Sequence, residues 1–249
     1  MEFTGKIAIV TGSGQGIGAG IARVLAKYGA HIIIAEINES SGTKTAEEII
    51  EHGGSATFIY TDISNFDSIN NLFDKVIAQF AKVDFLVNNV GVASKKQLCK
   101  DMTRDDWDRT INTNLTGTFF CTQRAAIEMS KRNYGKIVQV SSVAGHYGGI
   151  ITGVDYVTTK AGIFGMTKTF ARDYGPIGIN VNCIAPGSVM TPFLASADQE
   201  VITRFASGIG LKRHATEEEI GETVKFLCSD GGAYFSGAIL DVNGGVYYR

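Results

Sequence analysis

Two residues four apart stand out for the chemistry they allow, Tyr156 and Lys160 in Tyr-Val-Thr-Thr-Lys. On a helix that spacing puts both side chains on one face, so an ammonium can stand beside a phenol. A phenol titrates at about 10, and a nearby cation stabilises its anion and lowers that value. A tyrosine so placed can exchange a proton with an alcohol or a carbonyl near neutral pH. Upstream, Ser141-Ser142 ends an apolar β run, with Ser142 preceding the tyrosine by 14 residues. A hydroxyl there can hold the reacting oxygen, or it can simply turn the chain.

A second set lies near the start of the chain. Ile7-Ala8-Ile9-Val10 runs into Thr11-Gly12-Ser13-Gly14-Gln15-Gly16-Ile17-Gly18 and on into a helix-forming stretch at 19–26. A strand that feeds a helix through glycines leaves the first helical N–H groups unpaired at the positive end of the dipole, where a pyrophosphate can bind. Gly12 allows the turn, Gly16 lets phosphate approach the backbone, and Gly18 lets the helix pack on the strand. Ser13, Gln15 and Ile17 complete the expected cradle. Glu36 ends the next β run, 18 residues after Gly18, where a carboxylate can accept hydrogen bonds from ribose hydroxyls. Its charge repels a 2′-phosphate, and Ser13, Ile37 and Asn38 fill the positions for a compensating cation, so NAD is favoured over NADP. Asp62, with Ile63 beside it, can accept from the adenine amino group, and Asn88-Asn89-Val90-Gly91 offers backbone to the adenosine half.

These residues need a scaffold that delivers them to one edge. β runs at 7–10, 31–35, 56–60, 85–88, 136–141, 179–185 and 238–242 alternate with helical segments at 19–26, 43–51, 64–80, 103–131, 155–174 and from 216. Ser64-x-x-Asp67, Thr103-x-x-Asp106 and Thr216-x-x-Glu219 read as helix caps. Near-continuous Val/Ile runs joined by helices predict parallel strands covered on both faces. The expectation is an α/β fold, one doubly wound Rossmann-type domain over residues 1–249. Its sheet is mainly parallel with about seven strands, and its site lies beyond their C-terminal ends. The long irregular stretch 187–210 is expected to form a lid.

With 249 residues, 44% of them hydrophobic, the chain can bury one large core. A formal charge of −2 gives no reason to expect nucleic acid or an anionic membrane as partner. No apolar run approaches a membrane span and no signal peptide fits ahead of the first strand. Cys99, Cys121, Cys183 and Cys228 are scattered, and His31, His52, His146 and His214 show no ligand spacing. Idle thiols in a reducing cytoplasm, and no metal, are expected.

In this order and spacing, Thr11-Gly12-x-x-x-Gly16-x-Gly18, Asp62, Asn88-Asn89-x-Gly91, Asn114, Ser142, Tyr156-x-x-x-Lys160, Pro186-Gly187 and Thr191 resemble the short-chain dehydrogenase/reductase family from first strand to last. The resemblance implies hydride transfer between a nicotinamide and a secondary alcohol or ketone. By it, Tyr156 is the acid/base, Ser142 positions the reacting oxygen, and Lys160 lowers the tyrosine pKa and binds the nicotinamide ribose. Asn114 holds a water of the proton relay, and after Pro186 and Gly187 the Val189 backbone and Thr191 fix the carboxamide. Val90 replaces the family's usual alanine. The 143–154 loop is one residue longer than usual, which keeps Ser141 as an alternative to Ser142.

Val92, Ser94, Val143, His146, Tyr147, Ile150, Ile151, Met190 and Phe193 are placed to line the substrate pocket. That set lacks an arginine, so a neutral, partly apolar secondary alcohol or ketone is expected, with an uncharged sugar or polyol next. His146 reads equally well as a solvated loop residue. The basic run Lys95, Lys96 and Lys100 keeps open a reductase of carrier-protein-linked 3-oxoacyl groups, which usually takes NADPH. An NAD-binding regulatory protein would be expected to lack part of Asn114, Ser142, Tyr156 and Lys160, and all four are present. Small or apolar residues beyond one face's needs (Ala161, Gly162, Phe164 and Gly165) predict, with the resemblance, a homotetramer built on a helix pair and the last strand. In such an assembly the tail Tyr247-Tyr248 can reach a neighbour's pocket.

Overall fold

β1 (Ile7–Thr11) sends Ala8 and Val10 into one buried cluster and Ile7 and Ile9 into the other, as a strand with helices on both sides requires. The remaining strands are β2 (His31–Glu36), β3 (Ser55–Tyr60), β4 (Phe85–Asn88), β5 (Gly135–Val140), β6 (Ile179–Pro186) and β7 (Ile239–Val242). All pair in parallel in the order β3-β2-β1-β4-β5-β6-β7. The order reverses between β1 and β4, which opens a crevice beyond their C-terminal ends. This is a computed structural model describing residues 1–93, 97–149 and 152–248. Ser94, Lys95, Lys96, Ile150, Ile151 and the Phe193 side chain, all named above, lie outside the described residues.

The helices are α1 (Gly16–Lys27), α2 (Glu39–Glu51), α3 (Phe66–Phe80), α4 (Arg104–Ile111), α5 (Thr118–Ser130), α6 (Ala144–Tyr147), α7 (Val154–Tyr174), α8 (Pro192–Ala195), α9 (Gln199–Ser207) and α10 (Glu217–Cys228). Ile21 and Leu25 of α1, Ile49 of α2 and Val224 of α10 cover one face of the sheet. Leu72 and Phe73 of α3, Met129 of α5 and Phe170 of α7 cover the other. Each such side chain, fully withdrawn from water, contributes roughly 1.5–3 kcal/mol. No helix among the described residues is long and apolar enough to cross a membrane.

Four local expectations change. α2 begins at Glu39 rather than 43, because Asn38 caps it by accepting from Ser41 N and Gly42 lies flat where a Cβ would press on the Phe58 ring. α3 is capped by Asn65, not Ser64, whose hydroxyl instead donates to Asp62 Oδ1. The single helix expected at 103–131 is α4 and α5 joined by a π turn, Asn112–Gly117, a form that recurs at functional sites. The stretch at 187–210 is not irregular throughout, since it holds α8 and α9. Thr103 and Thr216 do cap α4 and α10, the latter with a full capping box.

Candidate active site

The turn from β1 to α1 is built on positive φ, 63° at Gly12 and 60° at Gly16. A Cβ on Gly18 would overlap the Gly12 carbonyl oxygen and fall 2.5 Å from Asn89 Nδ2, so only glycine lets α1 sit this close to β1. The open face of Gly16 looks across to Thr191. A cavity of about 620 Å³ begins here. Its wall carries Gly12, Gln15, Gly16, Ile17, Glu36, Asp62, Ile63, Asn89, Gly91, Tyr156, Lys160 and Thr191. A glycine cradle, a helix N-terminus and this volume fit an extended dinucleotide. Ser13 is not part of the wall; it is buried and its hydroxyl donates to Val10 O at 2.7 Å, locking the turn.

At the far end, Glu36 is held in place by three backbone donors. Its Oε2 accepts from Gly14 N at 3.1 Å and its Oε1 from Ile37 N and Asn38 N at 3.0 Å each. Asp62 Oδ1 accepts from both the backbone N–H and the hydroxyl of Ser64. Asn89 ties β4 to the turn, donating through Nδ2 to Thr11 O and Gly12 O. Val90 leans on Gly12, where a Cβ would lie 2.9 Å from its Cγ2. Two residues the sequence reading missed, Arg109 and Thr113, also line this end. No local motif announces them, because α4 is brought to the cavity by the contact of Gly117 with Ile63.

The reacting end is assembled from β5 and α7. Ser141 donates its hydroxyl to Lys160 O at 2.7 Å and is buried, so it fastens α7. Ser142 has its hydroxyl within hydrogen-bonding reach of the Tyr156 phenol and accepts from Ala144 N, while Ser141 lines the cavity. Lys160 Nζ donates to Val140 O at 2.9 Å and lies 5.5 Å from the Tyr156 ring centre. The expected electrostatics are altered by burial. Burial pushes the tyrosine up, with the Ser142 hydrogen bond pulling the other way, and draws Lys160 down to about 8. Burial therefore opposes the lowering of the tyrosine that the lysine's charge brings. Asn114 is fully buried: its Oδ1 accepts from Val92 N at 2.8 Å, and its Nδ2 donates to Val92 O and Thr159 Oγ1 at 2.8 and 3.2 Å. That amide fastens the loop after β4 to α7.

Beyond β6, Gly187 N donates to Val242 O, and the buried Val189 gives its carbonyl to Thr191 N. Pro186, Gly187 and Val189 support Thr191, which reaches the cavity wall and caps α8. His146 is spent inside its own chain. Its ring stacks on Phe164 at 4.4 Å and Tyr247 at 5.5 Å, and Nε2 lies 3.0 Å from Asp241 Oδ1, off the line of a hydrogen bond. It is neither solvated nor on the cavity wall, and Phe164 is likewise taken. Tyr247 folds back on its own chain, so the tail is anchored there. Tyr147, Met190 and Val92 are exposed, and of these Val92 lines the cavity.

A family profile described as Enoyl-(Acyl carrier protein) reductase matches residues 12–247. The chain is a member of the short-chain dehydrogenase/reductase family. As such it is a nicotinamide-dinucleotide-dependent oxidoreductase. This dehydrogenase/reductase is 36% identical over 248 residues to the 3-oxoacyl-[acyl-carrier-protein] reductase FabG of Aquifex aeolicus, covering 99% of each chain. It is also 36% identical over 243 residues to the cis-4-hydroxycyclohexanecarboxylate dehydrogenase of Sinomonas cyclohexanicum, covering 98% of this chain and 97% of that one. The solved structure of gox2181 superposes with a TM-score of 0.94 at 29% identity, covering 98% of this chain and 96% of that one.

Proposed function

We propose that this enzyme interconverts a neutral, partly apolar secondary alcohol and its ketone, using NAD. The observation that carries the reading is one cavity in which the glycine turn and Glu36 share a wall with Tyr156 and Lys160. The nicotinamide, when bound, accepts or returns the hydride. The N–H groups opening α1 receive the pyrophosphate, and Glu36 accepts from the ribose hydroxyls. Lys160 serves the second ribose, and Thr191 faces the carboxamide. Ser142 holds the substrate oxygen, and Tyr156 takes its proton in oxidation or supplies one in reduction. Burial keeps the phenol protonated, which suits the reductive direction.

Glu36 supports NAD, since its carboxylate is pinned at the strand end and a 2′-phosphate would meet it. Val92 on the cavity wall supports an apolar substrate. Reduction of carrier-linked 3-oxoacyl groups is the second reading, favoured by the identity to the FabG proteins. A homotetramer in the cytoplasm completes the proposal. Its helix-pair contact is supported by the apolar surface pocket that Leu115, Phe119, Phe120, Met166 and Phe170 line and by open space at Gly165. Two measurements test the function. Tyr156→Phe should lower turnover at least about a hundredfold while NADH binding, followed by fluorescence, survives. Neutral ketones, polyols, phosphosugars and acyl thioesters should then be ranked by kcat/KM. Phosphorylated or carrier-linked compounds ahead by more than about tenfold would overturn the neutral-pocket reading.

A further inference from the structure

α4 and the π turn carry a line of residues at 109, 113 and 117 that climbs over the adenosine half of the cavity. At its foot, Gly117 is so close to Ile63 that a Cβ there would overlap the Ile63 carbonyl oxygen. Thr113 and Arg109, one and two turns further on, lie on the same side of the helix. Both line the cavity that Glu36, Asp62, Ile63 and Ser64 also line. Among the described residues, Arg109 is the one arginine on that wall. Its side chain is 59% exposed, and its pair with Asp106, three residues back, is long at 3.4 Å. An exposed pair of that kind restrains a side chain little.

We infer that Arg109 is a cofactor-binding residue that stacks its guanidinium on the adenine of the dinucleotide. The inference rests on the proposed cofactor reading. A guanidinium is planar and weakly hydrated, so it gives up little water to lie on an aromatic face. Ile63 lines the same part of the cavity with apolar surface, and Asp62 offers an acceptor to the ring edge. A 2′-phosphate is the rival partner for Arg109, but Glu36, fixed by three backbone N–H groups, keeps that end anionic.

Titration calorimetry with ADP-ribose, 2′-phospho-ADP-ribose and reduced nicotinamide mononucleotide separates these cases. Arg109→Ala should weaken ADP-ribose binding by about three- to thirtyfold and leave the mononucleotide unchanged. Arg109→Tyr, which restores a flat face without charge, should recover ADP-ribose binding to within about threefold of wild type. ADP-ribose binding within about twofold of wild type in Arg109→Ala, a loss confined to the 2′-phosphorylated ligand, or no recovery with tyrosine would each overturn the stacking role. A wild-type protein that fails to bind ADP-ribose defeats the cofactor reading itself, which is a different result.

Discussion

Lys160→Met keeps the buried stem and removes the charge, so it asks whether the ammonium governs the tyrosine. Nζ lies 5.5 Å from the Tyr156 ring centre. At an effective dielectric of about 20, a unit charge at that distance stabilises a phenolate by roughly 3 kcal/mol, or about 2 pKa units. Burial acts on both partners, holding the phenol up and drawing the lysine down to about 8. Burial therefore works against the charge, so about 2 units is the most the lysine can supply. With methionine the phenol ionises alone. The midpoint of alcohol oxidation should move upward by as much as about 2 units, while ketone reduction at neutral pH, which uses the protonated phenol, should lose less. Val140 O also loses its donor, at a stability cost of roughly 1 kcal/mol. The assay is kcat/KM for oxidation from about pH 6 to about 11, with NADH affinity measured separately so that a lost ribose contact is not mistaken for a lost charge. A folded variant whose oxidation midpoint stays at the wild-type value would refute the charge argument.

Wild-type kcat/KM should be higher with NAD(H) than with NADP(H), and Glu36→Ala combined with Ile37→Arg should move preference toward NADP; equal efficiency with both in the wild type would sink the Glu36 argument. Asp84 is fully buried at the N-terminal ends of the strands; burial alone would raise its pKa, but Ile7 N, Lys82 and Arg132 outweigh that and hold it below the usual 3.8. Its stabilising share is therefore complete above about pH 4 and lost as pH falls through the lowered native value, and Asp84→Asn should cost about 2 kcal/mol by denaturant unfolding at pH 7 with a shallower loss in acid. Light scattering at micromolar concentration should give a tetramer, and a monomer would remove the helix-pair proposal.

What was legible in the sequence is what a local pattern fixes. The seven strands could be read because most are short apolar runs joined by helices, and the glycine turn because few other arrangements need positive φ twice in five residues. Thr103 and Thr216 announced their helices with an acidic residue three positions on, whereas Asn38 and Asn65 did not, since their partners are the N–H groups of serines. His146 could not be settled because its neighbours come from positions 164, 241 and 247. Arg109 was invisible for a similar reason: that α4 crosses the adenosine end follows from a contact between Gly117 and Ile63, 54 positions apart.

The same distinction explains why the four proposed catalytic residues were easier to list than to assign. Tyr156 and Lys160 keep their reactive atoms in the cleft, and neighbouring groups fasten the backbone around them. Thr159 donates to the Tyr156 carbonyl at 2.8 Å, and Ser141 donates to that of Lys160. Thr110 of α4 donates to the buried Asp155, one residue before the tyrosine, at 2.6 Å. Asn114 joins Thr159 to the Val92 backbone. The first turn of α7 is therefore fixed from β5, from α4 and from the loop after β4. A phenol that must meet a substrate oxygen gains more from this fixed backbone than from further partners of its own, because each partner that bonded its hydroxyl would compete with the substrate. A residue such as Asn114 can thus be indispensable by position while its amide points at the chain and not at the chemistry.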